Sequence, residues 1–218
     1  MKRFKTITFF AILFFSLLLM NFSSAKEKKS SNINESILQE TKVAYFAGGC
    51  FWCVEAIFES VIGVEEAVSG YAGGFTKNPT YESSNTGKTG HAEAVAVYYN
   101  PKKVSFKTLI DVYFGSHNPT TINGQHPDYG SQYRSIAFYN NQQEKMIIES
   151  KIKKLNYEVY NGQVATEVKK IKKFYKAEDY HQNYEKLHPE NPYIKNVSIP
   201  RLNRFKKKFP QLLKKRKY

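Results

Sequence analysis

Cys50 and Cys53 are the only two cysteines in this 218-residue chain, and they stand three apart in the run Ala47-Gly48-Gly49-Cys50-Phe51-Trp52-Cys53-Val54-Glu55. An apolar segment, Val43 to Phe46, precedes them, and an apolar run with helical spacing follows. The pattern predicts Cys50 at a strand-to-helix turn, where unbonded N–H groups and the helix dipole favour a thiolate. The only tryptophan of the chain, Trp52, lies between the two sulfurs. A reactive sulfur beside an aromatic wall suits a small, partly apolar substrate. A bridge between positions i and i+3 at a helix start is sterically reachable. It closes so short a loop that it constrains the unfolded chain little, which suits redox cycling better than stabilisation.

A thiol nucleophile works best with an acid nearby to protonate the departing group. Glu93, in Gly90-His91-Ala92-Glu93-Ala94-Val95, opens an otherwise apolar strand. A carboxyl held against apolar surface has a raised pKa and serves as a general acid. By spacing alone, Glu93 reads more readily as a solvated strand-end residue, as most carboxylates are. Tyr133, in Asp128-Tyr129-Gly130-Ser131-Gln132-Tyr133-Arg134, has a phenol able to donate to a polar oxygen, with Asp128 to orient it. Among 16 tyrosines, neither Tyr133 nor Tyr81 is singled out by spacing. His91, His117 and His126 do not repeat with zinc-ligand spacing, so no metal site is expected.

The elements that must position these groups follow from periodicity. Strands are predicted at Val43 to Ala47, Val64 to Gly70, Ala92 to Tyr99, Arg134 to Tyr139 and Ala165 to Phe174. Helices are predicted at Phe51 to Ile62, Phe106 to Ser116, Gln142 to Leu155 and, in a short form, Asp179 to Leu187. Residues 117 to 133 carry neither period, and so long a loop inside a compact domain is usually functional. The order predicts an α+β fold: a ferredoxin-like two-layer sandwich with a central mixed sheet and long loops.

The first 25 residues have the features of a secretory signal: Lys2, Arg3 and Lys5, an apolar stretch from Thr8 to Phe22, then Ser23-Ser24-Ala25. The expected location is therefore periplasmic or extracellular, with an uncleaved N-terminal anchor as the alternative. Residues 26–41 are predicted to be a linker, 42–200 the domain, and 201–218 a basic C-terminal extension. The chain has a net charge of +14, and the extension holds basic residues but no acidic one. A charge run of this kind is usually solvated, with weak contact to a membrane surface as the functional alternative. The compartment argues against nucleic acid as a partner. A monomer is expected.

Taken together, several segments resemble the peptide methionine sulfoxide reductases of the A type. They are Gly48 to Cys53; Gly70-Tyr71-Ala72-Gly73-Gly74 with Asn78-Pro79-Thr80-Tyr81; Thr89 to Val95; and Asp128 to Ser135. Asp179-Tyr180-His181-Gln182-Asn183-Tyr184 and His188 to Tyr193 are similar to that family as well. The resemblance spans roughly residues 41 to 210. It implies that Cys50 attacks a sulfoxide sulfur, Glu93 protonates the departing oxygen, and Tyr81 and Tyr133 hydrogen-bond that oxygen. It further implies that Phe51 and Trp52 hold the substrate methyl group and that Asp128 fixes the loop and the substrate backbone. The substrate would be methionine S-sulfoxide, in oxidised proteins or as the free amino acid, with no bound cofactor. The C-terminal tail holds no cysteine, so Cys53 is expected to resolve the Cys50 sulfenic acid, and an external thioredoxin-like dithiol protein to reduce the disulfide. One departure is His126, which stands where the family more usually has glycine. Two other readings compete. One is a general thiol–disulfide oxidoreductase, opposed by the element order around Cys50 and by the lack of an identifiable cis-proline loop. The other is a basic surface-binding module.

Overall fold

The structure is a computed structural model describing residues 41–215. The expected signal and almost all of the expected linker lie outside the described residues, as do residues 216–218.

Strand β1 (Lys42–Gly48) leads through Gly49 and Cys50 into α1 (Phe51–Glu59). Then follow β2 (Val64–Ala72), α2 (Tyr81–Asn85), β3 (Ala92–Tyr99) and α3 (Phe106–Ser116). The long loop contains a small hairpin, β4 (Gly124–Gln125) with β5 (Asp128–Tyr129), and a 3₁₀ turn at Ser131–Tyr133. Next come β6 (Ser135–Tyr139), α4 (Gln142–Leu155), β7 (Glu167–Lys170) and β8 (Phe174–Lys176). Two short helices close the chain, α5 (Tyr184–Leu187) and α6 (Ile199–Lys208). The expected bounds of β3, α3 and α4 are met. Ser105 and Asn141 cap α3 and α4, accepting from Thr108 N at 3.1 Å and from Glu144 N at 2.9 Å.

The main sheet is mixed, with order β7-β6-β1-β3-β2-β8. Its four central strands pair antiparallel, whereas β7 joins β6 in parallel. The expected single strand from Ala165 to Phe174 is in fact two strands on opposite edges of this sheet. Only residues 171–173 separate them, and four Cα steps span at most about 14 Å. Five strand spacings laid flat would need about 24 Å, so the sheet curls. Small side chains line the face away from the main core: Ala47, Ala72, Ala92 and Ala94 pack there with Ile136 and Phe138. The opposite face carries Phe46, Val95 and Val97, packed with Phe51, Ile57 and Phe58 of α1 and Leu109, Ile110 and Tyr113 of α3. Glu93 has the same strand parity as Val95 and Val97, so it points toward the helices.

Three expected boundaries move. Helix α1 stops at Glu59 rather than Ile62, because residues beyond it pair with the distant C-terminal segment: Val61 bridges Leu213, and Ile62 N donates to Leu212 O at 2.8 Å. The expected helix from Asp179 to Leu187 is a 3₁₀ turn (Asp179–His181) followed by α5, broken at Asn183, whose φ is +54°. The packed chain also continues past residue 200. Helix α6 straddles that position and buries Leu202 and Phe205, so the basic run begins inside the domain. The His126–Pro127 peptide is cis, which the sequence does not flag.

Candidate active site

The turn between β1 and α1 needs glycine at position 49. Its φ is +91°, and a Cβ there would sit 2.7 Å from the Gln125 side chain. Gln125 is held in turn: its amide donates to Asn118 O at 2.7 Å and to Thr121 Oγ1 at 2.6 Å. This turn delivers Cys50 to the N-cap of α1, 5% exposed, with Cys53 one turn along at 1%.

Glu93 reaches the same point from β3. It is 3% exposed, and its carboxylate accepts the Phe51 N–H at 2.9 Å. Burial dominates that hydrogen bond and, helped by the charges of Asp128 and Cys53, raises the Glu93 pKa to about 8. At neutral pH Glu93 is therefore a carboxylic acid beside the nucleophile.

Cys50 departs from the thiolate expectation. Burial, the Cys53 sulfur and the Glu93 carboxylate push its thiol up. Burial is the main reason, and the first N–H of α1, which could have stabilised a thiolate, is given to Glu93. Cys53 moves the other way, to about 6, through the Cys50 thiol against burial, with the Arg201 charge assisting. The two thiols are thus pushed in opposite directions by each other, Cys50 toward its protonated form and Cys53 toward its charged form.

The phenols of Tyr81 and Tyr133 close the same space. Burial raises both, and the charges of Glu93 and Cys50 reach each of them, so both are proton donors at any ordinary pH. Tyr81 is fixed by its N–H to Glu178 Oε1 at 3.0 Å, and Glu178 Oε2 also accepts from Tyr71 OH at 2.9 Å. Arg134 clamps the loops behind Tyr133 and Glu93, bonding Ser131 O at 2.7 Å, Gly90 O at 2.9 Å and Glu167 at 2.7 Å. Phe51 is buried, with ring contacts to Tyr71, Tyr81 and His181. Trp52 stays partly open. Asp128 accepts from Tyr193 OH at 2.5 Å, and the Tyr193 oxygen lies 3.9 Å from Cys53 Sγ. The seven other positions named from sequence thus gather around Cys50.

Residues 42–213 match the family described as Peptide methionine sulfoxide reductase. The chain belongs to the peptide methionine sulfoxide reductase family. The MsrA of Polynucleobacter asymbioticus is 42% identical over 184 residues, covering 84% of this chain and 97% of that protein. The MsrA of Trichodesmium erythraeum is 47% identical over 164 residues, covering 75% and 93%. Among solved structures, reduced Mxr1 from Saccharomyces cerevisiae matches with a TM-score of 0.65 at 32% identity, covering 70% of this chain and 88% of that one. Methionine sulfoxide reductase A of Corynebacterium diphtheriae matches with 0.63 at 34%, covering 69% and 76%.

Residues that sequence reasoning left without a role also pack around this site in the reductase. Trp52 Nε1 donates to His181 Nδ1 at 3.2 Å, which requires the neutral imidazole; burial, the dominant effect on its pKa, favours that form. Tyr184 stacks on Trp52 at 3.8 Å and 8°, while Tyr193 meets it edge-on at 6.0 Å. Glu55, 2% exposed, accepts from Asn183 N at 2.5 Å and from the Ser69 hydroxyl, holding the segment that carries His181 and Tyr184. The available signal was the two segments 179–184 and 188–193. They resembled the reductases, but nothing in them names a contact. Among the described residues there is no cluster of side chains suited to a metal ion.

Proposed function

We propose that this chain reduces methionine S-sulfoxide to methionine, in proteins or as the free amino acid, through Cys50, Glu93, Tyr81 and Tyr133. A sulfoxide sulfur becomes electrophilic when its oxygen is protonated or strongly hydrogen-bonded. Tyr81 and Tyr133 donate to that oxygen, and Glu93 gives it a proton. The Cys50 sulfur bonds to the substrate sulfur, the oxygen ends on Cys50, and methionine leaves. The substrate sulfur gains two electrons and Cys50 becomes a sulfenic acid. Glu93 recovers the proton lost by the Cys50 thiol. Phe51 and Trp52 hold the methyl group, and Asp128, fixed by Tyr193, orients the substrate backbone. The preference for the S epimer rests on family resemblance. The observation that carries the reading is the neutral, buried Glu93 bonded to the residue that follows the nucleophile.

Cys53 then attacks the sulfenic sulfur, forming a Cys50–Cys53 disulfide and releasing water. A thioredoxin-like dithiol protein reduces that disulfide by exchange. The lowered Cys53 pKa supports this assignment. The test is turnover of a methionine S-sulfoxide peptide by residues 26–218 with dithiothreitol, beside Cys50→Ser. Turnover that vanishes in the variant is expected. Equal turnover in both would overturn the assignment of the nucleophile, and none in either would overturn the reaction.

The order β6-β1-β3-β2, all antiparallel, with α1 and α3 as crossovers, supports the finer description as a ferredoxin-like sandwich. Residues 1–25 support an exported enzyme, and 26–41 a linker. The monomeric state and weak membrane contact by the exposed lysines after α6 remain readings from sequence.

A further inference from the structure

Resolution requires Cys53 as a thiolate, because the thiolate and not the thiol attacks a sulfenic sulfur. Cys53 is 1% exposed, so water solvates a charge there poorly. Helix α1 offers little help, since its Phe51 N–H is taken by Glu93. The titratable and charged groups facing Cys53 are Cys50 from the turn, Glu93 from β3, Tyr193 with Asp128 behind it, and Arg201 from α6. Ser198 also faces it, with its hydroxyl donating to Glu185. Within this set Arg201 is the cation.

Arg201 is held by the backbone of the site itself. Its Nε donates to Ser116 O at 2.6 Å, at the end of α3. Its Nη2 donates to Gly48 O at 2.7 Å, at the end of β1. Its Nη1 lies against the next residue, 3.4 Å from where a Gly49 Cβ would stand. One guanidinium therefore joins three pieces of chain around the Cys50 turn, a task for a planar fork of donors rather than a single ammonium. His117, packed on Gly48, adds no second charge: burial and Arg201 hold its pKa near about 3.

We propose that Arg201 is a positioning residue for the resolution step: it braces the turn that carries Cys50 and directs a fixed positive charge at Cys53. The proposal rests on the reading of Cys53 as the resolving thiol. In that step the Cys53 thiolate bonds to the Cys50 sulfur and the Cys50 S–O bond breaks. The hydroxide takes up the proton that Cys53 released and leaves as water. Cys53 supplies two electrons to the sulfenic sulfur. Arg201 touches neither substrate nor the attacked sulfur; it keeps the attacker charged. The electrostatics agree in direction, since the Cys50 thiol first, and then Arg201, lower Cys53 against the cost of burial.

The test uses the full chain with Cys50→Ser, which leaves Cys53 as the single thiol, and follows thiolate ultraviolet absorbance against pH. Adding Arg201→Gln should raise the midpoint by about one unit, a roughly tenfold loss of thiolate below it. Arg201→Lys, which keeps the charge and loses the fork, should stay near the parent. With Cys50 restored, Arg201→Gln should slow disulfide formation after one sulfoxide turnover about tenfold at pH well below the midpoint and about twofold at neutral pH, and higher pH should restore the rate. A purely structural brace would slow the step without moving its pH profile. An unchanged midpoint in folded Arg201→Gln, or a Lys variant shifted as far as Gln, overturns the proposal. Should Arg201→Gln not fold, the Cys50→Ser midpoint decides: below the ordinary thiol range supports it, at or above that range overturns it. Sustained turnover by Cys53→Ser would remove the resolving role itself, an outcome distinct from any midpoint.

Discussion

The Phe51 N–H and the Glu93 carboxylate form a 2.9 Å hydrogen bond that ties the acid to the residue after the nucleophile. The bond favours the carboxylate form, yet burial outweighs it and the pKa stands at about 8. The proton needed for the sulfoxide oxygen is thus present below that pH and lost above it. The single-turnover rate of sulfoxide reduction should show no pH dependence from Glu93 below about pH 8 and fall roughly tenfold per unit above it. Glu93→Gln keeps the bond to Phe51 but has no proton of this kind to give. Its rate should fall by about 10² to 10⁴, as for other positioned acids, and the limb near pH 8 should disappear.

Cys53→Ser separates the two halves of the cycle. Sulfoxide reduction should still yield about one methionine per enzyme, because Cys50 and Glu93 are untouched. The sulfenic acid should then persist, and turnover with a dithiol protein as reductant should collapse. Trapping the sulfenic acid with dimedone and counting methionine released per enzyme checks both points.

Tyr193→Phe removes the hydroxyl that joins Asp128 to the thiol pair. Asp128 loses a partner while half-buried, a loss of about 1–2 kcal/mol in its placement. The expected result is a roughly tenfold fall in kcat/KM for peptide substrates, with the fold intact by circular dichroism. An equal fall for a minimal sulfoxide lacking a peptide backbone would contradict a role for Asp128 on that backbone.

Tyr193 also shows what could be read before the fold was known. Cys50, Phe51, Trp52 and Cys53 are contiguous, so one turn of helix defines their relation, whereas Glu93, a carboxylate in an apolar strand, is singled out only by the family resemblance of its segment. Tyr193, His181, Tyr184 and Arg201 reach Trp52 and Cys53 across 130 to 150 residues, and no periodicity encodes a contact of that range. The split of one expected strand into β7 and β8 has the same cause: local pattern marks an extended segment but not the edge it joins. The C-terminal boundary failed because charge was read as exposure, although Leu202 and Phe205 carry an apolar stripe through the basic run.

Glu55 offers a test in stability. Burial raises its pKa from 4.5 to about 7, despite hydrogen bonds from Ser69 and Asn183. A carboxyl with a raised folded-state pKa contributes stability that is complete below its unfolded value and is lost as pH rises through its folded value. The wild-type chain should therefore lose on the order of 2 kcal/mol from this group between about pH 4.5 and pH 7. Glu55→Gln, neutral throughout, should lack that loss, so its Tm relative to wild type should rise across the same window. A constant Tm difference across that window would contradict the assignment.

Helix α1 is secured at both ends by the last stretch of the chain: Arg201 behind its first turn, and Leu212 to Lys214 beyond its last, where Lys214 N donates to Ser60 O at 2.8 Å. Synthesis runs from the N-terminus, so the cysteines are made long before the residues that set their environment. A nascent or C-terminally clipped chain carries both thiols but neither the charge facing Cys53 nor the clasp on the helix. The surroundings of both sulfurs are thereby completed only once residues 201 to 214 have been made and packed.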